Sequence, residues 1–90
     1  MTIKELKEIT KLNVPITGTF VISKCDLKPF NNKNGFFMQC LLTDLTGSLK
    51  GIVWEGAETI RAWVKNKMVV DISGEITRYN DMPQVIIKTL

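Results

Sequence analysis

The residues of this chain best suited to chemistry are aromatic and basic. Two apolar runs, FFMQCLLTD at residues 36–44 and SLKGIVW at residues 48–54, flank a tight LTG turn. With Thr43 opposite Ser48, Leu41 opposes Lys50, Gln39 opposes Ile52 and Phe37 opposes Trp54. Side chains alternate across a strand. One face of this hairpin therefore carries Met38, Cys40, Leu42, Leu49, Gly51 and Val53, all apolar or small. The other mixes Gln39, Lys50 and other polar groups with Leu41, Ile52 and a Phe37–Trp54 cross-strand pair. Ring faces beside cationic side chains suit an unpaired nucleic-acid strand. Bases stack on rings for about 1–3 kcal/mol each, and lysine or arginine meets the phosphates. A one-residue slip would exchange every partner, so the register is itself an expectation.

Two loops add candidates to the same surface. The first supplies Lys28, Phe30, Asn31, Asn32, Lys33 and Asn34, and the second Arg78, Tyr79 and Asn80. Ordinary packing competes for several of these residues. Trp54 can lie under the helix that follows it, Phe37 can be covered by Ile3 or Leu6, Phe30 can anchor its own loop, and Tyr79 can plug a barrel. Trp63 reads as core on the inner side of a helix. Lys4, Lys7 and Lys11 alternate with Glu5 and Glu8 and read as a solvated face.

Catalysis has little support in these residues. The chain has no histidine, the side chain most metal-dependent hydrolases and general-base sites use. Its carboxylates are scattered along the chain, and no phosphate-cradling glycine motif occurs. Two cysteines, Cys25 and Cys40, are too few for a four-ligand zinc site and read as buried free thiols. The reading is a non-catalytic chain without a cofactor. The net charge of +3 permits nucleic-acid contact without demanding it. No signal peptide is recognisable and no apolar run approaches the ~20 residues that span a membrane, so the expected compartment is the cytoplasm.

The elements that must position these residues follow from periodicity. Ninety residues make one domain, with residues 1–13 as an N-terminal helix or arm and 14–90 as its barrel. Thr2 and Glu5 form a capping-box pattern before Ile3, Leu6 and Ile9, and Pro15 is expected to end that segment. Strands are expected over 16–28, 36–44, 48–54, 67–79 and 84–90, and a helix over 56–66. The first and fourth strands are long, and Gly18 and Gly74 offer places to bend. Strand, strand, strand, helix, strand, strand is the order of an all-β, five-stranded OB-fold, a Greek-key barrel with its helix between strands three and four. The outer face of strands two and three is the usual ligand surface of that barrel.

Two stretches resemble a known family. NGFFMQCLLTDLTGSLKGIVWE, and VVDISGEITRYNDMPQVIIKTL with Val70, Ile72, Gly74, Tyr79, Gln84, Val85 and Ile87 at its spaced positions, are similar to the N-terminal OB-fold domain of YhaM-type 3′-5′ exoribonucleases. They also resemble the wider tRNA-anticodon-type OB family, and the likeness covers roughly residues 14–90. It implies a substrate-gripping module whose catalysis belongs to a following HD domain, a metal-dependent hydrolase unit. The chain would then be the binding domain alone, as a piece or as a free-standing relative. The resemblance implies binding roles for Phe37, Trp54, Lys33, Tyr79 and Arg78. It departs at Asn80–Asp81, where the family often has a basic residue and glycine, and Asp81 would repel phosphate.

The expected function is thus a single-stranded nucleic-acid-binding module, RNA favoured over DNA, that serves a nuclease domain. The rival is a protein-interaction or oligomerisation module that uses Leu41, Ile52, Phe37 and Trp54 as an apolar patch.

Overall fold

A computed structural model describes residues 2–90. Helix α1 (Ile3–Glu8) precedes strands β1 (Val14–Pro29), β2 (Phe36–Asp44) and β3 (Gly47–Val53). Helix α2 (Ala57–Trp63) then leads to β4 (Met68–Tyr79) and β5 (Met82–Thr89). The strands close into a barrel in the order β1-β2-β3-β5-β4, with β4 returning to β1. All neighbours are antiparallel except β3 and β5. This is the five-stranded barrel with its helix between strands three and four that the element order implies.

The hairpin register is the expected one from Met38–Val53 to the turn, but the ladder ends there, so Trp54 lies just beyond β3 and the expected Phe37–Trp54 strand pair is not part of it. Thr43 pairs with Ser48, Leu41 with Lys50, and Gln39 with Ile52. Met38, Leu42, Leu49 and Val53 are buried inside the barrel with Phe20, Ile22, Ile72, Ile76, Val85 and Ile87. Full burial of one such side chain contributes roughly 1.5–3 kcal/mol. Both cysteines are free, Cys40 in the core and Cys25 half-buried against it.

The two helices treat the core differently. Thr2 caps α1 through a complete capping box with Glu5, which holds the Glu5 carboxyl below its ordinary range. Ile3 and Leu6 are both fully buried, so α1 is a plug in the core and more than an arm. It ends at Glu8, well before Pro15, which lies within β1 and pairs with Glu75. Helix α2 is shorter than the expected 56–66. The chain turns extended at Val64, which is buried at 5 % exposure and takes the inward position. Trp63, expected in the core, is the last helical residue and is 42 % exposed.

Only one of the two glycine bends falls where the sequence suggests. At Gly74 the β4–β5 register shifts, and a Cβ there would stand 2.0 Å from the Ile86 carbonyl oxygen. Glycine lets the two backbones cross at that point. Gly18 pairs continuously with Ile72 and does not break the strand. β1 instead bends at Lys24–Cys25, where its pairing with β2 shifts and Lys24 takes a φ of 53°.

Candidate nucleic-acid interface

The registers lay the outer face out in ranks. Lys28 of β1 pairs with Phe37. The next rank runs Asp26, Gln39, Ile52 and Ile86 across four strands. The third runs Ser23, Leu41, Lys50 and Gln84. The bulge in β1 separates these last two ranks on that strand.

At one end of the face three rings come together. Phe37 and Trp54 have centroids 4.9 Å apart, Phe30 and Phe37 5.6 Å, and Phe30 stacks at 19° to Trp54 with centroids 6.3 Å apart. These are attractive offset and tilted arrangements. Phe30 is brought in by its loop, which the Phe30 N–H closes by donating to the Gly35 carbonyl. Lys33 lies over the Phe30 ring, 4.4 Å from its centroid. Trp54 remains 43 % exposed despite these contacts. Ile3 and Leu6 do not cover Phe37, because α1 packs at the β2–β3 turn, at the other end of the strand.

The middle of the face is less apolar than the sequence suggests. Ile52 lies on the outer side yet is only 5 % exposed, seated between Gln39 and Ile86. Leu41 is half-buried. Asp26 interrupts the basic surface beside Gln39, a feature that only the strand register could reveal.

At the far end a groove of about 560 Å³ opens between α1, β3 and the β4–β5 turn. Lys7, Leu41, Lys50, Tyr79, Met82 and Gln84 are among its walls. Tyr79 is 66 % exposed and so is no barrel plug. The turn itself is two residues long, with Asn80 and Asp81 both in the left-handed region. Asp81 does not line the groove.

Arg78, expected to meet phosphate, is committed elsewhere. Its guanidinium donates to the carbonyls of Lys7 at 3.1 Å, Ile9 at 3.4 Å and Asp81 at 3.2 Å. It ties the last carbonyls of α1 to the β4–β5 turn, a good use of five fixed donors. Asp44 secures the other end of α1, accepting from the Ile3 N–H at 2.8 Å. Hydrogen bonds from the Thr46 hydroxyl, first, and then from the Ile3, Thr46 and Gly47 backbone hold the Asp44 carboxyl below its ordinary range. Neither partnership is visible in the sequence, since the contacts cross 41 to 71 residues.

The candidate residues therefore divide into three groups. Phe30, Lys33, Phe37 and Trp54 assemble, with Lys28 beside them. Lys50 and Tyr79 share the groove at the other end, and Gln39 lies between. Arg78 serves the scaffold. Sequence reasoning missed Lys7, Met82 and Gln84 as groove residues. Lys7 follows Leu6, which is buried, and that neighbour was the available signal. Among the described residues the only ion pair joins Lys88 to Glu75, so these lysines form none.

Compared with protein-family models and with curated proteins, the chain matches none. Among the described residues no three side chains of His, Cys, Asp or Glu gather as metal ligands, and no helix is long and apolar enough to cross a membrane.

Proposed function

We propose that this domain binds single-stranded nucleic acid on the outer face of β2 and β3, as the substrate-gripping module of a 3′-5′ exoribonuclease. Its catalytic HD domain would lie outside these residues, and the chain itself does not cut. The observation that carries the reading is the cluster of Phe30, Phe37 and Trp54 on a barrel face, with both phenylalanines half-buried, Trp54 exposed, and Lys33 and Lys28 beside it. A structural core would hide the Trp54 ring, which keeps 43 % of its surface. Bases stack on such rings without regard to sequence, and salt-sensitive lysine contacts follow the backbone. The preference for RNA over DNA rests on the family resemblance.

The rival, a protein-contact or oligomerisation face, loses part of its motivation because Ile52 is buried. It retains the exposed Trp54 and the half-buried Leu41 and Phe37.

The test is a fluorescence titration of the Trp63→Phe variant, in which Trp54 is the sole tryptophan, with unpaired RNA and DNA at low and high salt. Saturable quenching that weakens with salt is expected. Trp54→Ala and Phe37→Ala, followed by calorimetry, weaken binding by about 1–3 kcal/mol with the fold retained. Wild-type affinity in both folded variants removes the platform. A stable dimer in sedimentation, with no oligonucleotide affinity, favours the rival.

A further inference from the structure

The groove at the α1 end has a composition that the aromatic platform does not explain. Lys7 and Lys50 bring two ammonium groups to it, and none of the described residues lining it is acidic. Tyr79 and Met82 supply an exposed ring and an apolar edge, and Gln84 an amide. Its volume of about 560 Å³ lies within the roughly 300–1,000 Å³ of small-molecule sites. Lys7 is positioned by the plug itself. Leu6 is fully buried, Arg78 holds the Lys7 carbonyl, and the ammonium lies over Gly47, 3.5 Å from where a Cβ would stand. Lys50, in the groove, lies with Ile52 on the outer side of β3, and Trp54 follows directly on that strand's last residue, Val53.

We propose that this groove is a second nucleotide station, so that the domain takes an unpaired strand long enough to reach both. One base lies on Tyr79 and the adjoining phosphate is met by Lys7 and Lys50. The proposal rests on the nucleic-acid reading above and adds a length requirement and an N-terminal wall to it. Trp54 and the groove are separated by four to six residues of β3, about 13–20 Å at ~3.3 Å per residue. A stacked strand rises about 3.4 Å per nucleotide and an extended one covers more, so at most about four to six nucleotides join the stations. That agrees with the lower end of the ~4–16 nucleotides bound per OB-fold. Charge complementarity favours a phosphate-bearing occupant over an apolar peptide.

The experiment is calorimetric titration with oligouridylates of two, four, six and eight nucleotides, using wild type, Tyr79→Ala and Lys7→Gln. Tyr79 and Lys7 are exposed, and circular dichroism confirms that the variants fold. Affinity is expected to climb between two and six nucleotides and then level. Tyr79→Ala weakens the six-nucleotide complex by roughly 5- to 150-fold and leaves the two-nucleotide complex within twofold. Lys7→Gln lowers the slope of log affinity against log salt by about 0.7 for the six-nucleotide ligand. Equal affinity for two and six nucleotides, or wild-type six-nucleotide binding in both variants, overturns the second station while the aromatic platform stands. Failure of every oligonucleotide to bind wild type at low salt overturns both.

Discussion

The two faces of the β2–β3 hairpin share one backbone and one register yet do opposite things. Met38, Leu42, Leu49 and Val53 on the inner face are almost completely removed from water. On the outer face the apolar content is held in two ways. Ile52 is sealed between strands, while Trp54 is gathered with the half-buried Phe30 and Phe37 and left exposed. The inner face is uniform because anything else costs folding free energy. The outer face can vary because the barrel closes without it, and that freedom is where recognition can reside.

The sharpest break of this comparison is truncation on the inner side. Leu42 is fully buried and joins the core from the later half of β2. Leu42→Ala is expected to destabilise the domain by about 2–5 kcal/mol through lost transfer energy and a cavity. Trp54→Ala, on the other face, should move the urea midpoint little while weakening oligonucleotide binding. Chemical denaturation of the two variants side by side checks the contrast. Equal losses of stability would show that the aromatic cluster is core.

A smaller effect concerns α1. Arg78→Ala removes three charge-assisted hydrogen bonds from half-exposed carbonyls and should cost about 1–2 kcal/mol. Hydrogen exchange would show the loss concentrated in α1 and at the β2–β3 turn it covers. Arg78→Lys should recover little, because one ammonium cannot reproduce a planar fork on carbonyls from two segments. Uniform loosening of the barrel would mean that the clamp and the plug are not coupled.

The barrel and the hairpin register were legible because alternation and turn chemistry are local signals. FFMQCLLTD and SLKGIVW state their faces within a few residues, and the burial of Met38, Leu42, Leu49 and Val53 agrees. The N-terminal capping box was likewise local. The use of Arg78 was not legible, because two of its three acceptors lie about 70 residues away. Trp63 misled for a geometric reason. The helical period places it inward, but the helix stops there and Val64 takes the inner position. The bend in β1 also escaped, since Lys24–Cys25 carries no glycine and only pairing with β2 exposes the shift. For the site, the nearness of Phe37 and Trp54 could be read from the hairpin, whereas the arrival of Phe30 depended on its loop and the groove on where α1 docks.

The gentlest test of the comparison is acid. Asp44 and Glu5 both hold folded-state carboxyls below their ordinary values, Asp44 first through the Thr46 hydroxyl in its own turn with the Ile3 N–H of α1 adding to it, and Glu5 through its capping partner Thr2. A depressed folded value means that the unfolded chain binds more protons as pH falls through the ordinary carboxylate range. The stabilisation from both groups is therefore full above that range and disappears as pH drops through their lowered values. The inner face carries no titrating carboxylate. Its Cys40 thiol, pushed up to about 12 chiefly by burial, acts only on the alkaline side, where stability falls above pH ~9. Acid should consequently loosen the α1 end before the barrel. Exchange or tyrosine fluorescence near Tyr79, followed from pH 6 to pH 2, should change ahead of far-ultraviolet dichroism, and Asp44→Asn should shrink the gap between the two transitions. Coincident transitions in wild type would mean that plug and barrel unfold as one unit. The N-terminal wall of the groove would then be as permanent a part of the fold as the strands it covers.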